Sequence, residues 1–160
     1  MPILMMDPKV PFIDFLLYVV IRKSMEIAGF YERLSRSVKL DALKTVFNEL
    51  AKLKREEVSC LQIKYGAVRR IFSEEEEPIV DSALSEEKID VPAVHTIEDA
   101  CQFALNLEII RFRFYTRLAQ LELDARAKEL FLFILFMHRP SLKFLVTRLQ
   151  LCQVCLNPNA

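Results

Sequence analysis

Cys152 and Cys155 stand three residues apart in Cys-Gln-Val-Cys, a spacing at which two thiols can share a metal ion or form a redox pair. A tetrathiolate site needs a second such pair, and the remaining cysteines, Cys60 and Cys101, are isolated within apolar helical patterns. A redox pair is most reactive at the start of a helix, where the dipole lowers the thiol pKa, whereas this one follows a helical segment. Two subunits could pool these thiols around zinc; two thiols at a frayed helix end is the simpler expectation. Cys60 and Cys101 read as small core residues. His95 precedes a helix start and reads as an exposed loop residue. The run Glu74-Glu75-Glu76-Glu77 reads as a solvated surface, because neighbouring like charges repel and seek water.

The elements that would position reactive groups follow from composition. The 160 residues are 52% hydrophobic and include only two glycines, Gly29 and Gly66. Turn-rich β folds consume glycine, so the shortage favours long helices with few connections. The 22 basic residues balance 22 acidic ones, leaving no overall field to draw the chain to nucleic acid or an anionic membrane. The apolar stretch from Phe12 to Ile21 is interrupted by Asp14 and runs into Arg22 and Lys23, which suits a core helix better than a signal sequence. Leu130 to Met137 is too short an apolar run to span a bilayer. The expectation is a soluble, cytoplasmic protein with neither nucleic acid nor membrane as partner.

Four helical segments can be drawn. The first runs from about Pro11 to Ser37 and the second from Asp41, read as its N-cap, to about Tyr65. From Gly66 to His95 a polar stretch with Pro78 and Pro92 breaks the pattern and reads as a long crossover. Thr96-Ile97-Glu98-Asp99 is a capping-box-like start for a third helix reaching about Leu123. Asp124 can cap the fourth, which runs to about Leu151 and contains Pro140, so a kink is expected near His138. One domain over residues 1–151, with its crossover at 66–95, and a tail over 152–160 is the resulting organisation.

The two halves repeat. Phe30-Tyr31-Glu32-Arg33-Leu34 matches Phe114-Tyr115-Thr116-Arg117-Leu118 at an offset of 84 (114 − 30). The same offset pairs Lys44 with Lys128, Phe47 with Phe131, Arg55 with Arg139 and Leu61 with Leu145. A helical hairpin cannot bury its apolar face alone, so two copies packed together form an all-α, antiparallel four-helix bundle. Short turns within each hairpin and one long crossover between them give the ferritin-like connection order.

Over roughly Phe12 to Leu149 the chain resembles the rubrerythrin branch of the ferritin-like superfamily. The resemblance rests on the Phe-Tyr pairs with their following Leu-small residues (Leu34, Ser35; Leu118, Ala119), on Val46-Phe47-Asn48-Glu49-Leu50-Ala51, and on Lys128-Glu129-Leu130-Phe131. It implies a di-iron centre that reacts with peroxide or oxygen. The family's ligands are a Glu six residues before each Phe-Tyr pair and a Glu-x-x-His on each even-numbered helix, residues three apart sharing one face.

At those positions the chain has Ser24 and Glu108 on the odd helices, Lys54 and Glu57 on the second, and His138 and Ser141 on the fourth. Only Glu108 is unchanged. Ser24, Lys54 and Ser141 are lost ligands, while Glu57 and His138 are metal-binding types at exchanged positions. Lysine has no free lone pair when charged and repels metal cations. The leading expectation is a Lys54–Glu108–Glu57 ionic network in place of metal, with no cofactor and no enzymatic activity. The alternative is a residual site in which Glu108, Glu57 and His138 hold iron or another divalent ion in a divergent peroxide- or oxygen-handling oxidoreductase. Full-length rubrerythrins carry a two-pair Cys-x-x-Cys iron site, of which Cys152 and Cys155 would supply half. Glu26 lies two residues from the first-helix position and is rotated away from it.

The fourth helix is hydrophobic on every side from Leu130 to Met137, and the first is similar around Phe15 to Val20. By the repeat, Leu132, Phe133 and Phe136 correspond to the polar Asn48, Glu49 and Lys52. Apolar residues at outer positions mark a partner surface, so a homodimer through helices one and four is expected.

Overall fold

The computed structural model describes residues 12–66, 91–121 and 124–156. These form four helices and, among the described residues, no strand: α1 (Phe12–Ser37), α2 (Asp41–Tyr65), α3 (Ile97–Gln120) and α4 (Ala125–Leu156). Each buries a stripe at helical spacing, for example Leu17, Val20, Ser24, Ile27, Tyr31 and Leu34 on α1. Most of the crossover, including the glutamate run, lies outside the described residues.

The ends of the helices explain where the sequence reading was right and where it was off. Thr96 accepts from the Asp99 amide while Asp99 accepts from the Thr96 amide, completing the capping box at the start of α3. Asp124 Oδ1 accepts from the Arg126 amide at 2.9 Å and so serves the first turn of α4. Asp41, by contrast, is not a cap. Leu40 holds that position without a side-chain hydrogen bond, and Asp41 lies in the first turn, where a negative charge faces the positive end of the helix dipole. α3 stops at Gln120, earlier than expected, as the Leu121 amide turns back to the Arg117 and Leu118 carbonyls. α4 continues through Pro140 and on to Leu156, so the Cys152–Cys155 pair belongs to its last turns rather than to a tail.

Side chains pack in two apolar clusters. The first contains Tyr31, Leu43, Phe47, Leu50, Ala104 and Leu145; the second contains Leu17, Val20, Leu61, Tyr115, Phe131 and Ile134. Between them, in the middle of each helix, sits a layer of buried polar residues. α2 and α3 both run from the first cluster to the second, whereas α1 and α4 run the opposite way. Hence α1 pairs antiparallel with α2, and α3 with α4, and the end of α2 lies the length of the bundle away from the start of α3. At 1.5 Å per residue that length is roughly 35 Å.

The repeat survives in three dimensions. Tyr31 stacks on Phe47 at 6.3 Å, and their counterparts Tyr115 and Phe131 lie 6.2 Å apart. Buried positions recur at the same offset even where chemistry differs: Ser24 with Glu108, Ile27 with Arg111, Lys54 with His138, Glu57 with Ser141.

Candidate functional site: a buried ionic layer

Each helix contributes to the polar layer from within its apolar stripe. α1 brings Ser24 and, one cluster along, Tyr31; α2 brings Lys54 and Glu57; α3 brings Glu108 and Arg111; α4 brings His138 and Ser141. Residues three apart on one helix share a face, so Lys54 with Glu57 and Glu108 with Arg111 point into the same interior.

Glu108 is the hub. Its side chain is fully buried, and its Oε2 accepts from Lys54 Nζ at 2.6 Å and meets His138 Nδ1 at 3.1 Å. Its Oε1 accepts from the Tyr31 hydroxyl at 3.0 Å and lies 3.7 Å from Arg111 Nη1. Lys54 Nζ is also 3.4 Å from Glu57 Oε2, and His138 Nε2 is 3.7 Å from Glu57 Oε1. The expected Lys54–Glu108–Glu57 network is therefore present as two ion pairs sharing one ammonium. An ionised Glu108 can only accept, so the His138 tautomer that completes this contact has its hydrogen on Nδ1 and donates a hydrogen bond to Oε2.

The electrostatics follow from this geometry. Burial alone would raise the Glu108 pKa, but Lys54, the His138 hydrogen bond and Arg111 outweigh it and hold the carboxyl well below the usual range. Tyr31 is pushed the other way, by burial first and then by the adjacent Glu108 charge. In the layer two carboxylates face one ammonium and one guanidinium. Such compensation is what makes buried charge tolerable.

Sequence reasoning missed two members. Arg111 is buried, and its Nη1 makes no hydrogen bond among the described residues. Its repeat counterpart is Ile27, an ordinary core position, and arginine on an amphipathic helix reads as surface. Tyr31 was read as packing only, although its hydroxyl binds Glu108. The offset of 84 was the one available signal, since it placed both residues on the inward face.

The residues present do not fit a two-metal centre. An ammonium lies against both carboxylates, and the second oxygen of Glu108 accepts from Tyr31 with the Arg111 guanidinium 3.7 Å away, so fixed positive charge stands on both sides of that carboxylate. Among the described residues no group of three or more His, Cys, Asp or Glu side chains is arranged around a metal position. Glu57 and Glu108 converge on Lys54, and His138 lies against the two carboxylates.

Other candidates lie apart. Glu26 and His95 are exposed, as expected; His95 offers its backbone amide to Asp99. Cys101 is buried, but Cys60 is only half-buried, because it lies at the edge of the α2 stripe. Cys152 is half-buried near the end of α4, and the Cys155 side chain lies outside the described residues. A cavity of about 450 Å³ lined by Leu34, Val38, Leu43, Phe47, Val94 and His95 sits at the far end of the first cluster, away from the ionic layer. Comparison with protein-family models, with curated proteins and with solved structures found no match to this chain.

Proposed function

We propose that the chain is a rubrerythrin-like, ferritin-fold protein whose two-metal centre has been replaced by fixed charges, and that it acts through binding or assembly rather than peroxide or oxygen chemistry. The observation that carries this reading is Lys54 Nζ at 2.6 Å from Glu108, at the centre of a duplicated bundle. The directions of the four helices support the ferritin-like reading, in which one long crossover links two hairpins. An ammonium offers no coordination position and no redox change, so the centre has nothing with which to activate oxygen.

Assembly, in this reading, means a homodimer that uses α4 and α1 in a cytoplasmic protein. Leu132 is 51% and Phe136 57% exposed on α4, while Phe133 is half-buried edge-on to Tyr65. On α1, Phe15, Leu17 and Val20 are buried within the chain, which leaves the flanking Leu16 and Val19 as its contribution. By length and composition α4 could cross a membrane, but its inward face carries His138 and Ser141 into the bundle.

Metal analysis of the purified protein and a peroxide-turnover assay test the reading. The expected result is no stoichiometric iron and no turnover above buffer. Stoichiometric iron with peroxide turnover would overturn it.

A further inference from the structure

Three groups of metal-ligand type, from three helices, meet beside one cation that belongs to the chain itself. Glu57 and Glu108 hold Lys54 Nζ at 3.4 and 2.6 Å, and His138 lies beside the same two carboxylates, with Nδ1 3.1 Å from Glu108 and Nε2 3.7 Å from Glu57. All four side chains are at most 3% exposed. Two carboxylates and an imidazole are an oxygen–oxygen–nitrogen donor set suited to zinc, cobalt or ferrous iron. With Lys54 present the two carboxylates are arranged about an ammonium, and among the described residues no three such donors are placed to hold a metal.

We infer that the Lys54 ammonium is the built-in occupant of a cation site, and that removing it opens the centre to one divalent transition-metal ion held by Glu57, Glu108 and His138. This rests on the reading of the layer as a displaced metal centre. An ammonium and a divalent ion cannot share so small a volume, because their repulsion at ion-pair distance inside a protein is large. The same truncation leaves buried negative charge in excess and empties the volume of a long side chain, giving an ion and a completing water both a reason and a place to enter. A second ion is excluded. Glu108 Oε1 is engaged by the Tyr31 hydroxyl and faces the Arg111 guanidinium, which keeps a fixed positive charge on that side.

The test is a cobalt(II) titration of the full chain, read by visible absorption, for the native protein, Lys54→Ala, Lys54→Gln and Lys54→Ala/Glu108→Gln, with circular dichroism as the folding control. Lys54→Ala and Lys54→Gln are expected to bind one ion per chain at least about 100-fold tighter than the native protein, a scale set by charge repulsion at this distance. Glu108→Gln should then remove about 10–100-fold of that gain, by loss of a ligand. A variant that folds only with cobalt present supports the inference, since metal binding and folding are then coupled. Folded Lys54 variants that bind no tighter than the native chain overturn it. So does failure of both single variants to fold with cobalt as well as without it. Iron in the native protein would instead overturn the proposed function, so the two failures are distinguishable.

Discussion

Lys54 and His138 occupy equivalent places in the two halves of the chain, and both reach the same atom, Oε2 of Glu108, at 2.6 and 3.1 Å. One brings a full ammonium charge and the other an imidazole N–H. The two halves of the repeat thus meet on a single carboxylate oxygen, and the stability of the bundle centre depends on what surrounds it.

Lys54→Met is expected to lower unfolding free energy by about 3–5 kcal/mol, because it leaves two buried carboxylates short of a cation. Urea unfolding with a chelator present measures this without interference from metal. In the double variant Lys54→Met/Glu108→Leu the loss should fall short of the sum of the single losses by about 1–3 kcal/mol. Additive losses would show that the two side chains are not coupled.

Stability should fall in acid in a way that Glu108→Gln abolishes. Glu108 has a folded pKa depressed below its unfolded value, so its contribution is complete above the unfolded value of about 4.3. Below that the unfolded state takes up the proton first, and stability declines steadily as pH drops toward the folded pKa. Chemical denaturation at a series of pH values from 7 downward measures the slope; an unchanged slope in Glu108→Gln would contradict the assignment.

Cys101 should resist alkylation while the chain is folded. Its thiol is pushed up to about 11, by burial first and then by the neighbouring Cys152, against a smaller opposing effect of Arg148. Thiolate is the reactive form. Mass mapping after iodoacetamide at pH 8 is expected to find Cys60 and Cys152, both half-buried, labelled well before Cys101. Equal labelling would mean that α3 opens at its N-terminal end.

If Leu132 and Phe136 form a partner surface, replacing both with glutamate should yield a monomer by sedimentation at micromolar concentration, where the native chain is a dimer. Both residues are more than half exposed, so the monomer's stability should change little, about 0.5 kcal/mol per site. A native chain that is monomeric at the same concentration would remove the basis for the dimer.

The four helices and the central ionic pairs were legible because two independent regularities agreed. Helical spacing put Lys54 and Glu57 on one face of α2, and the ligand pattern of the family the chain resembles, supported by the repeat, brought them to the level of Glu108 and His138. Arg111 was not legible. A guanidinium on a helix is ordinarily solvated, and only a tertiary carboxylate makes its burial tolerable. The misplaced cap at Asp41 has a simpler origin: an acidic residue is favoured both at the N-cap and in the first turn, and spacing alone does not separate the two. Neither reading of the apolar face of α4 required the structure, but the half-burial of Phe133 did, because Tyr65 comes from the other hairpin.

The unlike halves of the ionic layer also decide which hairpins can marry. A duplicated hairpin could in principle pair with its own kind, within a chain or between chains, and form a symmetric mismatch. Two first hairpins would bring Lys54 and Glu57 twice over and offer no Glu108; two second hairpins would bring Glu108 and Arg111 twice over and offer neither Lys54 nor Tyr31. Only one of each kind closes the hydrogen bonds from Tyr31 and Lys54 to Glu108. The central hydrogen bonds therefore tie one hairpin to the other, and neither hairpin holds both ends of them.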